Sequence, residues 1–131
     1  MITPVSFELA KLLKEKGFNE SCPVVVTNEN KYHLISGTEH TILNGMVFTT
    51  SKNKTLPDYI CSAPTIAEVV MWLYEKYGIW ISIDFNSENS LFFYCIRKRL
   101  YRLRLNTNTE YFNSPAEAYK AAIEYTLNNL I

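Results

Sequence analysis

Residues 79–85 read Ile-Trp-Ile-Ser-Ile-Asp-Phe, with an apolar residue at every odd position and Trp80, Ser82 and Asp84 between them. A period of two sends alternate side chains to opposite faces of an extended chain, and no helix collects such a pattern on one side. The segment is therefore predicted as a half-buried strand. Asn86-Ser87-Glu88-Asn89 supplies turn residues, and Leu91 to Ile96 is a strongly apolar partner. Leu100 to Leu105 alternates Tyr101, Leu103 and Leu105 with Arg102 and Arg104, which reads as a third strand. Three consecutive strands joined by short turns predict an antiparallel meander.

Helices are announced by their ends. Ser114-Pro115-Ala116-Glu117 is a capping box with proline at the first helical position, and it opens a helix over about 115–129. Thr65-Ile66-Ala67-Glu68 repeats the signal, with Ile66, Val69, Val70, Leu73 and Tyr77 as its buried stripe. Gly78 is placed to stop that helix in a left-handed conformation, with Ile79 folding back on Tyr74 in a Schellman arrangement. A first helix follows Ser6, from Phe7 to about Lys16, with Leu9, Leu12 and Leu13 inside and Gly17-Phe18 as its stop. Between these, Val24–Val26 and Tyr32–Ile35 read as a hairpin around Asn28-Glu29-Asn30, and Met46–Phe48 as a short strand. Thr49 to Asp58, rich in Ser, Lys and Asn, reads as an exposed loop. The expected fold class is α+β: a single domain over 1–131, with an antiparallel sheet of about four to six strands and three helices mainly on one face.

Composition narrows the function classes. At 131 residues and 47% hydrophobic, the chain is long and apolar enough to bury a core without metal or disulfide staples. Lys plus Arg and Asp plus Glu balance at 13 each, which argues against a dedicated nucleic-acid binder or a basic membrane-surface helix. No run approaches the length of a membrane span and no signal-like start is evident, so the expected location is cytoplasmic with no membrane partner. Cys22, Cys61 and Cys95 are odd in number and widely spaced, which implies reduced thiols.

A search by residue type finds no phosphate loop, no dinucleotide fingerprint and no nucleophile elbow. His33 and His40 with Cys22 and Cys61 match no zinc spacing, so no metal and no cofactor are expected. A Cys–His nucleophile pair requires His40 or His33 beside Cys61 or Cys95 in space, which spacing alone does not provide.

Two features stand out. Arg97, Lys98, Arg99, Arg102 and Arg104 place five cations in eight positions, interleaved with Tyr101 and close to Tyr94. That pattern suits phosphate contact and stacking, and suits equally a solvated sheet face with a charged edge. Trp72 falls on the Glu68/Glu75 side of its helix and Trp80 on the Ser82/Asp84 side of its strand. Aromatics on polar faces serve as contact anchors, unless the 36–60 segment or a second subunit covers them.

Ser6-Phe7-Glu8-Leu9-Ala10 with Gly17-Phe18, Ser62-Ala63-Pro64-Thr65 with Glu68-Val69, Trp72-Leu73 and Gly78-Ile79, and the closing Tyr111-Phe112-Asn113-Ser114 to Leu130-Ile131 together resemble a family of small proteins from Bacteroidetes and their phages and prophages. The likeness touches both ends and the middle and is weakest over 22–60. It implies an origin on mobile or phage-related DNA and brings no catalytic residues with it.

The expected function is a non-enzymatic, phage- or prophage-associated protein acting through protein–protein contacts, as a homodimer or on another protein, with Trp72 and Trp80 at its interface. One alternative is a nucleic-acid-associated regulator using the Arg97–Arg104 ridge. Another is a small hydrolase or transferase with its site in the 36–60 segment, using His40 or Cys61.

Overall fold

A computed structural model describes residues 3–35, 41–43, 46–48, 52–99, 104–106 and 109–131. The chain divides into two compact units, one spanning Thr3–Thr65 and the other Ile66–Ile131. The class is α+β, with three α-helices among the described residues. The described strands fall into three antiparallel sheets of three, two and two strands, where the sequence predicts one sheet of four to six. Most pairings join strands adjacent in sequence, so each sheet starts as a hairpin, and among the described strands one returns over a long connection.

The first unit opens with α1 (Phe7–Glu15). The Ser6 hydroxyl accepts the Leu9 N–H at 3.4 Å, and Leu9, Ala10 and Leu13 form the buried side. The helix ends in a full Schellman motif. Gly17 adopts φ +93°, its N–H donates to Lys14 at 3.1 Å, and the Phe18 N–H donates to Leu13 at 2.9 Å. Strands β1 (Val24–Thr27) and β2 (Tyr32–Leu34) form the predicted hairpin, with Val25 opposite His33. β3 (Thr41–Leu43) pairs with β4 (Met46–Phe48). β5 (Ile60–Ser62), which the sequence did not announce, pairs with the other edge of β1 and is buried throughout.

The stretch before β5 corrects in part the reading of an exposed loop at 49–58: Lys52, Lys54, Thr55 and Asp58 are exposed, but Asn53 and Leu56 are not, and residues 49–51 lie outside the described set. Asn53 opens a 3-10 turn (Asn53–Thr55) and is buried. Its amide donates to the Phe18 carbonyl and its oxygen accepts the Ser62 N–H, both at 2.8 Å. Leu56 joins Val25, Ile35 and Ile60 in an apolar cluster. Of the polar residues here it is Asn53 that turns inward and bridges two backbone segments. Lys14 completes the attachment: its ammonium donates to the carbonyls of Leu56, Pro57 and Ile60 at 3.1, 2.8 and 3.0 Å, using all three of its donors.

The second unit holds the long hairpin β6 (Ile79–Asn86) and β7 (Leu91–Lys98), paired over its full length with Ile81 opposite Ile96 and Trp80 opposite Arg97. Asn86 shapes the turn by accepting the Glu88 N–H at 2.9 Å, and Ser90 takes the positive φ of +57°. α2 (Ile66–Tyr77) and α3 (Pro115–Asn129) pack on this hairpin, where Ile79, Ile81, Tyr94 and Ile96 are buried. Ser114 caps α3 by accepting the Glu117 N–H at 3.2 Å, while the Glu117 carboxylate takes the Asn113 N–H at 3.2 Å. Gly78, at φ +67°, ends α2 with one bond from its N–H to the Tyr74 carbonyl at 2.9 Å. That is the simpler left-handed stop rather than the expected Schellman arrangement.

The third strand expected at 100–105 lies partly outside the described residues. What is described is an antiparallel bridge of Arg104 to Arg97 and another of Phe112 to Phe92. Four residues separate Phe92 from Arg97, whereas seven separate Arg104 from Phe112, so the two stretches cannot stay in step. Asn106 fills the mismatch: its oxygen accepts the Ile96 N–H at 2.9 Å and its amide donates to the Tyr94 carbonyl at 3.2 Å. A buried side chain thus completes the edge of β7 where main chain is out of register.

Replacing Lys14 by Met keeps the stem and deletes the three charge-assisted bonds. We expect a loss of about 2–3 kcal/mol, since bonds to charged groups contribute most and this head is partly solvated. Urea denaturation of the two proteins measures it, and an unchanged midpoint refutes the role.

Candidate interaction face

Because paired residues share a face, the β6–β7 hairpin sorts into two sides. Ile79, Ile81 and Ile83 with Ile96 and Tyr94 face the helices. The other side carries Trp80, Ser82, Asp84 and Asn86 from β6, opposite Arg97, Cys95, Phe93 and Leu91 from β7. Arg104 bridges Arg97 from beyond, so Trp80, Arg97 and Arg104 form one row across the end of this outer face. All three are exposed, Trp80 by 42%.

The row is held from behind. Trp80 meets the Tyr74 ring edge-to-face, with centroids 5.4 Å apart, and the Arg99 guanidinium lies 5.6 Å from the Tyr74 centroid. Arg104 donates to Asn106 at 3.1 Å and to the Thr109 hydroxyl at 3.0 Å, which fixes its guanidinium while leaving it charged. Arg97, Lys98 and Arg99 are exposed. Among the described residues no ion pair joins these cations to a carboxylate, whereas in the first unit Lys31 pairs with Glu29 at 3.2 Å.

The far end of the same face has the opposite character. Asp84 sits opposite Phe93, four residues or about 13 Å along the strand from Trp80. Its carboxylate accepts the Phe85 N–H at 2.8 Å, and Glu88 is exposed in the adjoining turn. Phe93 packs edge-to-face on Tyr111, whose hydroxyl accepts from the Asn86 amide at 3.3 Å. Between the two ends lie Ser82 and Cys95, small and half-buried.

The structure separates residues that the sequence grouped. Trp72 is buried, 6% exposed, and is no surface anchor. It lies three positions after Val69 and one before Leu73, so it widens the buried stripe of α2. Its ring meets Tyr77 edge-to-face at 5.6 Å, with the Lys76 ammonium 5.4 Å from its centroid. Of the basic run, Arg97, Lys98, Arg99 and Arg104 gather at one end of the second unit, and Arg102 lies outside the described residues. The face also takes in Asp84 and Tyr111, which the sequence does not mark as site residues. The strand alternation that places Trp80 also places Asp84, whereas nothing in the sequence links Tyr111 to Phe93.

Cys61 is fully buried, and burial is the main cause pushing its thiol pKa up, against the lowering fields of Lys14 and Lys11. It is a core side chain with no accessible thiolate. His40 lies outside the described residues, and His33 is half-buried on β2. The first unit carries an open cleft of about 510 Å³ between Phe7, Lys11 and Glu15 of α1 and Asn28, Asp58 and Tyr59; the Lys14 ammonium at its wall is already committed to three carbonyls. Among the described residues no group of three or more His, Cys, Asp or Glu is placed to hold a metal ion, and no helix is long and apolar enough to cross a membrane. Comparison with protein-family models, curated proteins and solved structures finds no match.

Because the folded Cys61 value lies above the unfolded one, its contribution to stability is full below the ordinary thiol value of about 8.5 and is lost as pH rises toward the folded value. Denaturant midpoints measured from pH 7 to 10 should fall more steeply for the native protein than for Cys61→Ala. Parallel curves contradict this assignment.

Proposed function

We propose that this chain is a non-enzymatic binding protein that acts through protein–protein contacts, and that its contact surface is the outer face of the β6–β7 hairpin. The carrying observation is the row of Trp80, Arg97 and Arg104, which joins an exposed tryptophan to two guanidiniums, one of them hydrogen-bonded in place, on one face of the hairpin. Trp, Tyr and Arg are the residues that concentrate binding energy at protein interfaces, and here Trp80 and Arg104 start with partners that order them, which lowers the entropy lost on contact. A phage or prophage setting belongs to this proposal on the strength of the sequence resemblance alone. So does a homodimeric or other protein partner and a cytoplasmic location.

Photo-crosslinking in the producing cell tests the reading. A probe at Ser82 should give protein adducts that weaken at least tenfold on combining Trp80→Ala with Arg97→Ala. Adducts unaffected by that pair of changes overturn it.

The unpaired cations favour a second reading, a single-stranded nucleic acid with bases on Trp80 and phosphates on Arg97 and Arg104. Asp84 and Glu88 weigh against it, since a continuous polyanion crossing the face would meet like charge at the far end. Labelled oligothymidine should therefore give flat anisotropy at about 150 mM salt. A rise that collapses with added salt and disappears in the Arg97→Ala, Arg104→Ala protein assigns the face to nucleic acid instead.

A further inference from the structure

The outer face is dipolar: Arg97 and Arg104 mark one end and Asp84 the other, with the Ser82–Cys95 pair midway. Turn a second copy over by half a turn about an axis lying in the plane of the face, across the strands and through its middle, and its face looks back at the first with the two charged ends exchanged. Two copies laid face to face about that axis match positive to negative twice over. This is the self-complementarity an isologous contact needs. Neither a polyanion nor a uniformly acidic peptide shares that symmetry.

We infer that the partner of this face is a second copy of the chain, related by a twofold axis through the Ser82–Cys95 pair. The inference rests on the proposed use of the face for protein contact and names its occupant. In this arrangement the Trp80 row of each copy lies over the Asp84 row of the other. Trp80 is covered by the second copy's Asp84, and the Arg97 guanidinium lies one strand spacing, about 5 Å, to the side of that Asp84, within reach of its carboxylate. Small side chains at the axis let the two sheets approach, and the turn beyond Asn86, with Glu88, reaches toward the other copy's Arg99 end. The two Cys95 thiols come closest to each other of any pair. Cys95 is also the one cysteine of the three that is not buried.

Charge exchange tests the geometry. The native chain should sediment as a dimer at concentrations of about 100 μM and dissociate as salt rises, because the matched charges are at a solvated surface. Arg97→Glu alone and Asp84→Arg alone should each give monomers, since each sets like charges together twice. Mixing those two variants should restore a dimer, because both contacts are then between opposite charges. Restoration also shows that each variant is folded. A short bis-maleimide should join Cys95 to Cys95 in the native dimer and in the mixture, but in neither variant alone.

A dimer that survives both single substitutions, or variants that stay monomeric when mixed, overturns the inference. A native chain that is monomeric throughout, yet still gives Trp80-dependent adducts with another protein, overturns the second-copy assignment and leaves the contact face standing. A monomer without such adducts removes both.

Discussion

Every backbone N–H and C=O that folding removes from water needs a partner, and short strands leave many such groups at their ends. In this chain polar side chains meet that demand. Lys14 gathers three carbonyls ahead of and at the start of β5, Asn53 joins the end of α1 to β5, and Asn106 continues the edge of β7. Among the described residues no buried side-chain nitrogen or oxygen lacks a hydrogen-bond partner. The core strands β1 and β5 can be buried on both faces because these links satisfy the chain around them.

What the sequence makes legible is what local chemistry decides. The cap at Ser114, the left-handed stops at Gly17 and Gly78, and the alternation of β6 each depend on a few neighbouring residues, and each appears where expected. What it hides depends on distant partners. Asn53 and Asn106 look like ordinary loop residues until the carbonyls and N–H groups they serve come near. Ile60–Ser62 is too short for a periodic signal and becomes a strand because β1 has an open edge. Trp72 shows the limit of reading a helix by its charges: flanking glutamates suggest a wet face, but its spacing from Val69 sets the ring inside.

The candidate face combines both kinds of information. Trp80 and the basic run each stand out in the sequence but lie apart in it. Strand register makes them neighbours, since Ile81 must oppose Ile96 to bury both, and Trp80 is then opposite Arg97. The same register puts Asp84 beside Phe93. The charge asymmetry of the face is thus a by-product of burying its reverse side, and a slip of one residue would exchange the two sides.

Lys14 has a consequence for chemistry as well as for folding. Proteins that draw several carbonyl oxygens to one point often recruit a hard cation such as calcium to do it. Here the cation is carried by the polypeptide itself, on a helix a few turns long. Being tethered, it is always present at full stoichiometry and needs no ion supply. The cost is that this amine cannot act as a nucleophile or a base without first letting go of the segment it holds.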